Sequence, residues 1–244
     1  MAFSFRHLIS GFVCIAALAS SARAQLASSP PKEVSLQFSV FALGGAKGIG
    51  YFSKTDKTPR ALKFYSAYRS PQYVYQGGAR ISFFETSATG AAAVPVAVYD
   101  IPEGAENLLL LFFPKETPAA NGLKFDVYGV DDSVGRTPAG HFTTINVSGR
   151  EYVGQYGDSR IDIPQGVGQV HAGKGRVSLL LAAQIEGQWL PSGKHEFNMA
   201  SKDRVTLIFY PSASRTGIYP IIRRLTDTLP VVAGEKGPEM AQYP

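Results

Sequence analysis

His141, His171 and His195 are the histidines that follow residue 24, and they stand 30 and 24 residues apart. No HxH, HxxxH or HExxH spacing places two of them on one local face, so no metal ion is expected. Asp126 and the pair Asp131-Asp132 are the densest carboxylates. Clustered carboxylates suit Ca²⁺, but the turn preference of Asp makes a solvated turn the expected reading. No Gly-x-Ser-x-Gly elbow occurs. Gly44 to Gly50 resembles a phosphate loop only superficially, because it lacks the Gly-Lys-Ser/Thr ending; a hairpin turn is expected there. Cys14 is the single cysteine, and thiolate and disulfide chemistry are not expected. No catalytic residue and no cofactor is assigned.

The richest candidate surface runs from Arg60 to Tyr75. If 62–69 is a strand, Leu62, Phe64, Ser66 and Tyr68 share one face, and Lys63, Tyr65, Ala67 and Arg69 share the other. The second face sets a tyrosine ring between cations, a surface suited to stacking on sugar rings or holding an anionic polymer. Lys63, Tyr65, Arg69, Tyr73 and Tyr75 are therefore the candidate ligand-binding residues. The competing reading is that strands are rich in tyrosine and cations solubilise exposed faces. Trp189, the one tryptophan, is expected to plug a core rather than offer a sugar platform.

The elements around these residues begin with a leader. Arg6 and His7 precede an apolar stretch from Leu8 to Leu18, and Ala22-Arg23-Ala24 forms a small-x-small cleavage site. Residues 1–24 are expected to be a signal peptide, placing the protein in the periplasm or outside a Gram-negative cell. Cys14 sits inside the apolar run rather than at its end, so lipid anchoring is not expected. No other stretch is long and apolar enough for a membrane span after signal removal. Loss of Arg6 and Arg23 takes the formal net charge from +5 to +3, too little for a nucleic-acid partner.

With 25 glycines and 16 prolines in 244 residues, short strands and turns are favoured over helices. Val34 to Leu43 alternates strictly, which predicts a strand half-buried on one side. Leu108 to Phe113 and Val205 to Tyr210 are instead uninterrupted apolar runs, each stopped by proline and set 97 residues apart. Such runs predict central strands covered on both faces, one of them by a sister domain. Arg80-Ile81-Ser82-Phe83-Phe84 matches Arg176-Val177-Ser178-Leu179-Leu180 at an offset of 96, and Tyr99-Asp100-Ile101 matches Phe197-Asn198-Met199 at 98. Blocks in one order at nearly constant offset point to an internal repeat. The expected fold is all-β, with two tandem immunoglobulin-like β-sandwich domains; one large β-sandwich is the alternative. The expected layout is a signal peptide at 1–24, a linker at 25–33, sandwiches at 34–133 and 138–229, and a flexible tail at 230–244.

Pro138-Ala139-Gly140-His141-Phe142, Asn146-Val147-Ser148 and Ile163-Pro164-Gln165-Gly166 together resemble repeating β-units in exported proteins of Gram-negative environmental bacteria. The resemblance covers the second half of the chain. It implies a β-sandwich and carries over no site. The functional expectation is a non-enzymatic binding or scaffold module of the envelope, for a glycan or polyanion. Its expected partners are polysaccharide or another envelope protein. A hydrolase with a composite carboxylate or Ser/His site and a structural subunit of a surface assembly remain the alternatives.

Overall fold

Period-two alternation and frequent turns produce sixteen strands in the computed structural model of the chain, which describes residues 33–43, 46–65, 68–87, 94–211 and 218–229. The expected signal peptide, most of the expected linker, and the expected tail lie outside the described residues. The first eight strands are β1 (Val34–Ala42), β2 (Ile49–Tyr51), β3 (Arg60–Ala61), β4 (Tyr73–Gly77), β5 (Arg80–Glu85), β6 (Ala97–Asp100), β7 (Asn107–Pro114) and β8 (Phe125–Asp131). The second eight are β9 (His141–Asn146), β10 (Tyr152–Tyr156), β11 (Ser159–Ile163), β12 (Gly166–Ala172), β13 (Gly175–Ile185), β14 (Gln188–Met199), β15 (Asp203–Tyr210) and β16 (Ile221–Thr228).

The first eight strands make one sandwich from sheets ordered β4-β1-β7-β8 and β3-β2-β5-β6. The second eight make another from β12-β9-β15-β16 and β11-β10-β13-β14. Strand for strand the two orders are the same, including a parallel central pair: β1 beside β7, and β9 beside β15. Arg80 faces Asp100 across β5 and β6, and Arg176 faces Asn198 across β13 and β14. The residue blocks that match in sequence thus hold equivalent partners. Four strands in every sheet, with a parallel pair at the centre, differ in detail from the four- and three-stranded sheets of a constant-type immunoglobulin domain.

The apolar runs are now explained. Leu108, Leu110 and Phe112 of β7 enter the core of the first sandwich, beside Phe38, Tyr51 and Phe83. Val205, Leu207 and Phe209 of β15 enter the second core, beside Phe142, Tyr152 and Leu179. The alternate residues meet in a third cluster, where Phe41, Leu109, Leu111 and Val130 pack against Ile145, Ile208, Tyr210 and Leu225. The β1 and β9 sheets are therefore inner sheets that share an apolar layer, and the β2 and β10 sheets lie outside them. β1 was expected to be buried on one side. From Phe38 onward both its sides are buried, because the second sandwich covers the face carrying Phe41. Leu108 to Phe112 are all buried and Phe113 is half-buried.

One turn and one absence bear on the expectations. Asn146 of the Asn-x-Ser sequence is only 1% exposed. Its amide donates to the carbonyls of Arg150 (2.7 Å) and Ile163 (3.0 Å), and its Oδ1 accepts from the Ser148 N–H. This is a buried turn, not a glycan acceptor. Among the described residues no helix is long and apolar enough to cross a membrane.

The shared layer makes a stability prediction. Truncating a buried leucine to alanine costs about 2–5 kcal/mol. Leu109→Ala and Ile208→Ala should each lower the urea midpoint accordingly. Each should also unfold both sandwiches in one transition, monitored by Trp189 fluorescence for the second and by hydrogen exchange in β5 for the first. Two separated transitions would show that the layer does not couple them.

Candidate functional site

Where the two sandwiches meet, four charges are drawn out of water. Arg69, on the segment that enters β4, bonds Asp132 in the connection between β8 and β9, and its Nε lies 2.8 Å from an Asp227 carboxylate oxygen. Arg204 of β15 reaches the same Asp227 oxygen at 2.8 Å and donates to the Asp132 carbonyl at 2.7 Å. Arg69 also donates to the Thr206 hydroxyl at 2.9 Å. The Arg69 side chain is only 8% exposed. Two cations and two anions balance in this quartet, which is what burial of charge requires. Burial pushes the Asp132 carboxyl above its ordinary value, against the pull of Arg69 and Arg204.

The quartet holds a cleft beside it. Tyr68 adjoins Arg69, and Thr226 adjoins Asp227, so the Arg69–Asp227 contact brings Tyr68 of the first sandwich to the edge strand β16 of the second. Tyr68, His195, Glu196, Ile222, Arg223, Arg224 and Thr226 line a cleft of about 450 Å³. β14 and β16 are edge strands of facing sheets. On β14, His195 follows the inward alternation of Phe197 and Met199, with its ring 6.0 Å from that of Phe197. On β16, Ile222 packs into the second core while Leu225 packs into the shared layer. Alternation therefore sends Arg224 and Thr226 toward the His195 side and Arg223 toward the first sandwich.

The electrostatics of the cleft are cationic. Among the described residues neither Arg223 nor Arg224 forms an ion pair. Glu196 is already engaged: Arg176 and Lys194 each approach its carboxylate at 2.6 Å. Their hydrogen bonds hold its pKa at about 2. Burial, with Arg224 nearby, lowers the His195 pKa, and its buried Nε2 has no hydrogen-bond partner among the described residues. Among the described residues no group of three or more His, Cys, Asp or Glu is arranged to hold a metal ion.

The five sequence-derived candidates part company. Strand β3 is shorter than the expected strand, but its continuation keeps the alternation at first, with Leu62 and Phe64 facing the core and Lys63 and Tyr65 exposed. Beyond residues 66–67 the phase is reversed. Tyr68 is 70% exposed and Arg69 points inward, because Ser70 is fastened to β1 through Val40. Arg69 is thus a structural ion of the quartet rather than an open ligand contact. Tyr73 packs on Phe38 at 5.5 Å, and its hydroxyl accepts from the Lys63 N–H at 2.8 Å. Tyr75 is buried, its hydroxyl donating to the Gly78 and Arg80 carbonyls, both at 3.0 Å. Burial raises the pKa of both tyrosines. Only Lys63 and Tyr65 keep the open character expected of the patch. Asp132 is neither a solvated turn residue nor a cation ligand here, since its partners are arginines. Sequence reading weighed His195 only as a metal ligand and passed over Arg223 and Arg224; the available signal was two adjacent arginines in a strand, which point to opposite sides of the sheet.

The chain matches no protein-family model, and no curated protein is similar to it in sequence.

Removing one partner of a buried ion pair costs about 3–5 kcal/mol. Arg69→Ala should therefore destabilise the protein on that scale in urea titrations, while Lys63→Ala should leave the midpoint unchanged. Equal midpoints for the two variants would remove the quartet from the account. A second expectation concerns pH. The folded protein keeps His171 and His195 neutral, since burial lowers the pKa of both. The unfolded chain protonates them at about 6.5. Their contribution is complete above that pH and is lost as pH falls below it, because the unfolded chain then binds more protons. The drop in midpoint from pH 7.5 to 5.5 should be smaller in the His171→Gln/His195→Gln double variant; an identical drop would exclude these histidines as its source.

Proposed function

We propose that this chain is an exported, non-enzymatic binding module of the envelope that takes an anionic polymer in the cleft between its two sandwiches. One observation carries the reading: Arg223 and Arg224 stand beside Tyr68 and His195 and, among the described residues, have no carboxylate partner of their own. A free cation pair beside an exposed ring offers charge-assisted hydrogen bonds to sulfate, phosphate or carboxylate groups and a stacking face to the sugar that bears them. Glycosidase chemistry would ask for two facing carboxylates, whereas Glu196 is the one carboxylate lining this cleft and is bound on both sides by cations. The common strand order of the two sandwiches supports their origin from one duplicated unit, and the leader supports export.

A charge-assisted hydrogen bond contributes about 1.5–3 kcal/mol, so Arg223→Ala or Arg224→Ala should weaken binding roughly ten- to hundredfold. Immobilised dextran sulfate and polygalacturonate serve as probes, with neutral dextran as the control. Retention should fall with added salt, as screening requires, and should survive Lys63→Ala. Retention that is equal on neutral dextran, or indifferent to both arginine substitutions, would defeat the proposal.

A further inference from the structure

The outer sheets of the two sandwiches are equivalent in strand order but not in what covers them. In the first, β2 and β3 are joined by residues 52–59. The end of that connection crowds Gly50: a Cβ there would lie 2.7 Å from the carbonyl oxygen of Arg60, on the paired strand β3, and 3.1 Å from the Pro59 Cβ. Phe52 at its start packs edge-on against Phe84, with ring centroids 5.3 Å apart. The outward apolar residue of β5 is thus covered by the protein's own chain. In the second sandwich β10 and β11 are joined by Gly157 and Asp158 alone, too short a connection to return over the sheet. Gln155 takes the place of Gly50, pairing with Leu180 as Gly50 pairs with Phe84. Leu180 is left 52% exposed.

The open face is a shaped site. Val153, Gln155, Leu180 and Ala182 floor a groove of about 380 Å³, with Arg160 on one side and Pro191 on the other. Trp189, expected in a core, is 39% exposed. The Arg160 guanidinium lies over its ring at 5.6 Å, and Asp162 fixes that guanidinium at 2.9 Å. We infer that this groove binds an extended neutral polysaccharide chain, at a second site independent of the cationic cleft.

Charge and size select this occupant. Among the described residues the charges lining the groove are Arg160, already paired with Asp162, and Asp158, so no unpaired cation is offered to an anion. The apolar residues of the face number far fewer than the roughly 20–30 residues a side of a standard protein interface, which disfavours a second copy. A sugar chain is narrow, presents C–H faces to Leu180 and Ala182, and presents hydroxyls to Gln155 and Asp158, with Trp189 beside the groove under Arg160. The groove volume lies within the range of small-ligand sites.

Because Trp189 is the one tryptophan, its emission reports on this face directly. The full chain is titrated with a soluble β-glucan, a xylan and a galactomannan. A saturable change in Trp189 emission is expected with at least one of them, weakened tenfold or more by Leu180→Glu and by Gln155→Ala. The change should persist in the Arg223→Ala/Arg224→Ala variant, which separates this site from the cleft. Leu180 points to solvent, so its variant should melt as the parent does; should it not, Gln155→Ala decides alone. The inference is overturned by no saturable change with any of the three, or by unchanged binding in Gln155→Ala. It is also overturned by a concentration-dependent dimer in sedimentation that Leu180→Glu abolishes, which would assign the face to a second copy.

Discussion

A strand whose side chains are apolar on both faces must be covered twice, and β7 and β15 meet that requirement by covering each other's sheets. Leu109, Leu111, Ile208 and Tyr210 lose contact with water only because the two inner sheets stack. Fully burying a large apolar side chain contributes about 1.5–3 kcal/mol, so this layer outweighs any single polar contact along its margin. The burial of Asp132, Asp227, Arg69 and Arg204 follows from it. Once the sheets stack, charges at the margin leave water and must satisfy one another.

The position of the cleft is a further consequence. Stacking through the inner sheets brings β16 beside the segment that carries Tyr68 and Arg69. Tyr68 and Arg223 come from different sandwiches, so neither sandwich holds the whole cleft. The outer sheets lie away from this contact and are free to differ. The long β2–β3 connection covers one of them, and the two-residue β10–β11 turn leaves the other open. A shared strand order thus coexists with dissimilar surfaces because the connections, not the strands, carry the difference.

The inner layer was legible in the sequence because an unbroken apolar run within a strand has only one explanation, cover on both sides. The equivalence of the sandwiches was legible because the arginine-led strands repeat with their cross-strand partners. The quartet was not, since Arg69 finds Asp132 and Thr206 at separations of 63 and 137 residues, which no local pattern records. Alternation from Leu62 predicted Tyr65 correctly and Arg69 incorrectly, because the anchoring of Ser70 to Val40 of β1 sets the direction of Arg69 independently of β3. Trp189 shows the same limit from another side. Periodicity tells which residues share a face, whereas whether that face is open depends on the length of a connection elsewhere in the chain.

β14 forms an edge of its sheet over twelve residues, long enough to invite pairing with a foreign strand. Its sequence interrupts that invitation midway. Pro191 has no N–H to offer, Gly193 adopts a φ of 105°, and the register with β13 shifts between Leu181 and Ala182. A strand docking along this edge would lose step at its middle, and Lys194 would meet it with a charge. The margin nearest the cleft and the groove is thereby guarded against edge-to-edge pairing with a second strand.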